Sequence, residues 1–234
     1  MLQGGAFDIG VGDAVAAWGF GPGQANESAI RTAIRGGRHP AHQVLELDAS
    51  GRRARKHVPV TLDLSGIAKG YAVDRLAEVA RDAGVTNALV AIEGELRAIG
   101  LQPNGAGWTV AFERPDHSTR APHAILVLRD AAVAMSGDYR HWVDVGDRSL
   151  SHTMEPTRGG PVVEPPASVT VIAATCMAAD AWATAMMVRG SLEGAELARR
   201  HGLDALFIDR EGGRLCETKA GQVFDTWPSP TRAA

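Results

Sequence analysis

Cysteine is scarce in this chain: of 234 residues only Cys176 and Cys216 carry thiols, with neither CxxC nor Cys/His ligand spacing. That excludes a zinc ribbon or a redox pair and reads each thiol as a small apolar residue. No apolar run approaches the roughly 18 residues that span a bilayer, so no transmembrane segment is expected. Basic excess is also missing: 24 Lys and Arg against 27 Asp and Glu, spread along the chain, give a net charge of −3. Neither a nucleic-acid stripe nor a polybasic membrane anchor is present. GxxxxGK[ST] is absent and no GxGxxG follows a strand, so neither a Walker loop nor a Rossmann fingerprint is read. There is no internal repeat and no low-complexity tract. Met1-Leu2-Gln3 runs straight into Gly4-Gly5-Ala6-Phe7-Asp8 without a charged n-region or apolar h-region. No signal peptide is therefore read, and the chain reads as beginning in mid-domain.

What is there can build a core. At 45% apolar, the chain suffices for one domain over 1–234, or for two closely merged lobes. Helical spacing marks 10–19 (Val11, Val15, Trp18), closed by the turn cluster 19–23, and 27–35, closed by Gly36-Gly37. Strand patterns at 44–48 and 54–60 flank Ala49-Ser50-Gly51, a hairpin signature. Strands are expected at 88–92, 96–100, 108–113, 124–128, 132–135, 141–145, 149–153 and 169–173. The strands 141–145 and 149–153 flank Gly146-Asp147. Helices are expected at 177–188 and 191–201, and a closing hairpin turns about Gly212-Gly213. Hairpins mixed with helices argue for an α+β fold with mixed or antiparallel sheets and packed helices.

The segment 62–84, LDLSGIAKGYAVDRLAEVARDAG, carries the strongest chemical signal. An extended lead-in meets a Ser65-Gly66 corner and then a helix with Lys69 in its first turn. Backbone N–H groups and one cation converge there, which suits a phosphate-bearing ligand. Ser65 reads as the N-cap and Gly84 as the stop. Ala72, Leu76, Val79, Ala80 and Ala83 read as the buried stripe.

Five other places are weighed as chemical, each with an ordinary alternative. Asp180 and Thr184 lie four apart, on one helix face among small and apolar neighbours. A hard cation such as Mg²⁺ would satisfy them; so would a helix-dipole aspartate with Thr184 bonded back to a carbonyl. His152 sits where a strand opens into a loop, as a proton shuttle, a ligand contact or a solvated histidine. Ser136-Gly137 permits close backbone approach to a ligand, or is a plain turn. Ala6-Phe7-Asp8 can bracket an aromatic ring, or is likewise a turn. The paired acids Glu93 and Glu95 resemble a glycosidase pair only superficially, because solvated turn acids are so common.

Taken in order, GGAFD, LDLSGIAKGYAVDRLAE, GELRAIG, SGDY, SHTMEP and DAWATA resemble the ApbE family of FAD:protein FMN transferases along nearly the whole chain. The resemblance implies a single α+β domain of two merged lobes. It implies a Mg²⁺-dependent enzyme that takes FAD as substrate. Its FMN half goes to a threonine hydroxyl of an acceptor flavoprotein, and AMP is released. By position, Ala6, Phe7, Asp8, Asp63, Lys69, Ser136, Gly137 and Met154 would line the FAD site. The Gly66 carbonyl, Asp180 and Thr184 would hold the metal, with Asp180 and His152 catalytic and His152 moving the proton. Exported relatives point to the periplasm or cell envelope. A non-catalytic FAD-binding protein and an FAD pyrophosphatase giving FMN and AMP are the alternative readings.

Three departures from the family pattern bear on flavin pose and acceptor choice. Glu93-Gly94-Glu95 stands in place of a Gly-Gly-Asp turn. Glu155-Pro156-Thr157-Arg158-Gly159 stands in place of Asp-Pro-Arg-Thr-Gly. The segment that usually precedes GGAFD is not in this sequence, which reads as a truncation or as a reduced member with a more open site.

Overall fold

The computed structural model describes residues 5–116, 121–139, 142–145 and 148–226. Gly4, His141 and the Gly146-Asp147 turn, all used in the sequence reading, lie outside these residues. A 3-10 turn, Ile9–Val11, leads into helix α1 (Gly12–Ala17). Helix α2 (Glu27–Arg35) and the single turn α3 (Ala41–Val44) precede the hairpin β1 (Leu45–Asp48) and β2 (Arg53–Lys56). Helix α4 (Ser65–Asp82) is followed by β3 (Ala88–Ile92), β4 (Glu95–Ile99), β5 (Trp108–Glu113), β6 (Pro122–Leu128) and β7 (Ala132–Gly137). Then come β8 (Trp142–Val145), β9 (Arg148–Ser151), β10 (Met154–Glu155), β11 (Gly160–Pro161) and β12 (Ser168–Ala173). Helix α5 (Cys176–Arg200), β13 (Asp204–Glu211), β14 (Arg214–Ala220) and α6 (Gln222–Asp225) complete the order.

The central sheet runs β14-β13-β12-β7-β4-β3 with every described pairing antiparallel. Its strands obey a period of two. Val169, Val171, Ala205 and Phe207 face α5, where Trp182, Ala183 and Met186 cover them. Their sequence neighbours Ile172, Leu206 and Ile208 face the opposite way, under the β5–β6 hairpin and Phe224 of α6. Alternation of this kind is what a sheet buried on both faces requires. A smaller cluster of Ala14, Ala17, Ala33 and Met154, with Trp18 and Phe20 against it, holds α1 and α2 together.

The expected α+β fold, with its antiparallel sheet and packed helices, is what the chain adopts. One detail of the first hairpin differs from expectation. Its second strand ends at Lys56, not at residue 60; the hairpin pairs with no other described strand and β2 is exposed throughout. The two helices expected at 177–188 and 191–201 are both present within α5, separated at Gly190, whose φ of 76° breaks the helical path. Glycine adopts that conformation without a Cβ penalty.

The buried stripe of α4 is on the other face. Gly70, Val73, Asp74 and Ala77 are buried, whereas Leu76 and Val79 are 50% and 59% exposed. The cause is the approach of α5. A Cβ at Gly70 would lie 2.4 Å from the Cys176 carbonyl oxygen, so only small side chains fit this seam. Leu76 and Val79 would hold the helices apart.

Candidate functional site

Two aspartates interlock the seam, each reaching into the other helix. The Gly70 N–H donates to Asp180 Oδ2 at 3.1 Å. In return, Asp74 of α4 accepts from the Cys176 and Met177 N–H groups, both at 2.9 Å, at the start of α5. Arg97 of β4 pairs with the same carboxylate. Thr175 caps α5 from its own side, accepting from the Ala178 N–H. These are the N–H groups a helix start leaves without partners, and an anion there also meets the helix dipole favourably. Sequence reading missed Asp74 and Arg97. The available signal was a carboxylate four residues after Gly70, on the small-residue face of α4.

The same seam assembles several predicted residues. A Cβ at Gly66 would sit 2.9 Å from the Phe7 ring and 3.0 Å from Thr184 Oγ1. Ser136 Oγ lies 3.5 Å from Thr184 Oγ1. Phe7, Gly66, Ser136, Thr184 and Asp180 therefore come together from four parts of the sequence. Gly66, Ser136 and Thr184 are half-buried, whereas Asp180 is only 4% exposed. Burial pushes the Asp180 carboxyl above its ordinary value, against the opposing Gly70 N–H and Lys69 charge.

Lys69 lies one turn into α4, with its ammonium 2.9 Å from Glu95 Oε1 and 3.6 Å from Glu93 Oε2. Glu95 is 1% exposed, and among the described residues its Oε2 has no hydrogen-bond partner. Burial pushes Glu95 upward more than Lys69 pulls it down. On Lys69, burial acts to lower the ammonium value. The Glu95 hydrogen bond and the charges of Glu95, Asp180 and Glu93 outweigh it and raise it. The burial cost of the pair falls on Glu95, the member without solvent. Beside it Cys176 is inert: burial first, then Asp74, Glu95 and Asp180, push its thiol up to about 12.

Other predicted residues are held by different contacts. Asp63 Oδ1 accepts from the Ser65 N–H at 2.9 Å and the Ser65 hydroxyl at 2.6 Å. The N-cap position is Leu64, so Asp63 supplies the oxygen that was expected from Ser65. Asp8 Oδ1 accepts from the Gly10 N–H at 2.7 Å, and its carboxylate also binds the Ala41 N–H. The Asp63 N–H donates to the Ile9 carbonyl, fastening the buried Ala6 and its loop to the α4 entrance. At Gly137, the space for a Cβ is filled by the Tyr139 ring, 2.5 Å away, so the glycine serves that packing. His152 and Met154 are placed from the α1–α2 side. The His152 ring stands edge-on to Phe20 at 6.3 Å, and Met154 is buried among Ala14, Ala17 and Ala33.

Among the described residues, no three His, Cys, Asp or Glu side chains gather as a metal cluster. The Gly66–Asp180–Thr184 set offers one carboxylate and neutral oxygens. That donor chemistry fits Mg²⁺, which takes few protein ligands and completes its shell with water and phosphate oxygens. The space a Gly66 Cβ would fill, against Thr184 Oγ1, is consistent with it.

An antiparallel sheet carrying two interlocked helices, with a hydroxyl–carboxylate group and a lysine at their seam, places the chain among the α+β proteins. The family follows from comparison. The ApbE family model matches residues 1–207, and the chain belongs to that family. The FAD:protein FMN transferase of Escherichia coli strain K12 is 34% identical over 97% of this chain. That of Vibrio cholerae is 36% identical over 88%. The chain spans 63% and 62% of the lengths of these relatives. Among solved structures, the flavinyl transferase ApbE of Pseudomonas stutzeri superposes with a TM-score of 0.79 at 36% identity, covering 96% of this chain and 69% of that one. The ApbE protein of Thermotoga maritima gives 0.80 at 28% identity, over 96% and 72%.

Proposed function

We propose that the chain transfers the FMN half of FAD to a threonine hydroxyl of an acceptor flavoprotein and releases AMP, in a Mg²⁺-dependent reaction. The observation that carries this reading is the joining of the α4 entrance to α5. Gly66 abuts Thr184, and Gly70 binds Asp180 at 3.1 Å. The names of the relatives support transfer of FMN from FAD to a protein. The cell envelope is the compartment consistent with it, open to test by fractionation.

When bound, Mg²⁺ supplies charge neutralisation at the diphosphate. Gly66, Asp180 and Thr184 would hold it. Lys69 brings a second positive charge to the phosphates, and the first N–H groups of α4 add partial charge. Phe7 offers a ring face for the flavin. The acceptor oxygen bonds to the FMN-side phosphorus as that phosphorus loses its bridging oxygen. AMP leaves with the electron pair, and a ring nitrogen of His152 takes the hydroxyl proton. Such transfers depend on alignment and charge more than on covalent help.

Incubation with FAD, Mg²⁺ and a threonine-bearing acceptor tests the reading. Labelled acceptor supports it. Free FMN with AMP would mark a pyrophosphatase, and intact FAD a binding protein. Titration of FAD with and without EDTA is expected to give much weaker binding in the chelator; equal binding would remove the metal from the site. His152→Ala is expected to slow transfer about 100-fold, the scale of a lost general base. FAD affinity should stay within about 3-fold, measured by flavin fluorescence, because Phe20 and Met154 still shape that side. Unchanged single-turnover rates would exclude His152 as the base.

A further inference from the structure

The β3–β4 turn places a carboxylate where backbone and charge both argue against one. Ile92 pairs with Glu95, so Glu93 and Gly94 form a two-residue connection. Glu93 takes φ +52°, in the left-handed region, while Gly94 beside it does not. Tight hairpins favour glycine at such a position, since an L side chain is strained there. The side chain gains little burial in return, being 77% exposed, and it faces Lys69 at 3.6 Å. Lys69 is already held by Glu95 at 2.9 Å. A second carboxylate adds little to that pair, yet it sits beside the cation assigned to the diphosphate.

We propose that Glu93 is an affinity-setting residue: it competes with the FAD diphosphate for Lys69, and an arriving ligand must displace it. Glu95 fixes the ammonium from below, and Glu93 draws it toward the turn when no phosphate is present. The same competition favours release of AMP, because the carboxylate reclaims the ammonium once the diphosphate is broken. The inference rests on the proposed contact between Lys69 and the phosphates. It deepens that reading by naming what limits the affinity.

The test uses the whole chain with Mg²⁺ and FAD, followed by calorimetry or flavin fluorescence at low salt. Glu93→Gln should bind FAD about two- to five-fold tighter, the scale of one exposed ion pair. AMP, as a competitor, should tighten in parallel. Glu93→Gly should do the same and also melt about 1–4 °C higher, from relief at the positive φ. In a Lys69→Met background, Glu93→Gln should change nothing. Unchanged FAD affinity in Lys69→Met alone would remove the lysine–phosphate contact and the proposal with it. Weakened binding in Lys69→Met with no tightening in Glu93→Gln would overturn only the competition. Equal tightening in both backgrounds would overturn it as well, because the effect would then bypass Lys69.

Discussion

Asp180→Asn is expected to lose Mg²⁺-dependent FAD binding and to cut flavin transfer by about 10³-fold, the upper scale for removing a preorganised electrostatic group. The ligand-free chain should meanwhile become more stable at neutral and alkaline pH. Asp180 is buried, and burial holds its carboxyl above the ordinary value. The stabilising contribution of such a group is complete below the unfolded carboxylate range and is lost as pH rises through the folded value. Above that window the ionised side chain is a cost. Asparagine keeps an oxygen for the Gly70 N–H and removes the charge. In EDTA at pH 8 the variant should melt about 2–4 °C higher, as one kcal/mol gives in a chain of this size. The gain should shrink as pH falls toward the unfolded carboxylate range. A lower melting temperature at pH 8 would mean that the charge itself supports the fold. Retained transfer would end the metal assignment.

Asp74→Ala is expected to be the most destabilising substitution in the seam, with loss of the Asp74 half of the α4–α5 lock while the Gly70–Asp180 bond remains. The carboxylate serves two N–H groups at the head of α5 and the Arg97 guanidinium at once. Its removal leaves a mostly buried cation and two helix-start donors unpaired. Breaking such a pair from one side costs about 3–5 kcal/mol, a fall in melting temperature of about 6 °C or more. Asp74→Asn should recover part of this, since one oxygen can still accept. A loss below about 1 kcal/mol in the alanine variant, measured by urea titration, would show that Thr175 alone caps the helix.

The sequence carried most of the fold because its local signals are unambiguous. Helix 27–35 is legible to the residue, with Gly36 ending it as expected; the Asn26 cap is added by the structure. The gap expected between the helices 177–188 and 191–201, and the turn expected at 212–213, are real breaks, with positive φ at Gly190, Gly212 and Gly213. The α4 stripe was misread for a physical reason. Apolar periodicity pointed to Leu76 and Val79, but helix contact was decided by how close Gly70 allows α5 to come. That distance is tertiary and leaves only small residues as its trace. For the site, Gly66, Ser136, Thr184 and Phe7 were readable as motif fragments, and the structure gathers them. Glu95 was not legible as buried, because its neighbours in GELRAIG read like any turn followed by a strand. Asp8 and Asp63 were legible as acids near a loop, but not as acceptors for Gly10, Ala41 and Ser65.

The mutual clasp of α4 and α5 also fixes which parts of the molecule can respond to a ligand. A joint locked from both ends, with no room for even a methyl group at Gly70, is a rigid anvil. In the proposed FAD complex, accommodation is then left to parts outside this joint, such as the β3–β4 turn with its exposed Glu93.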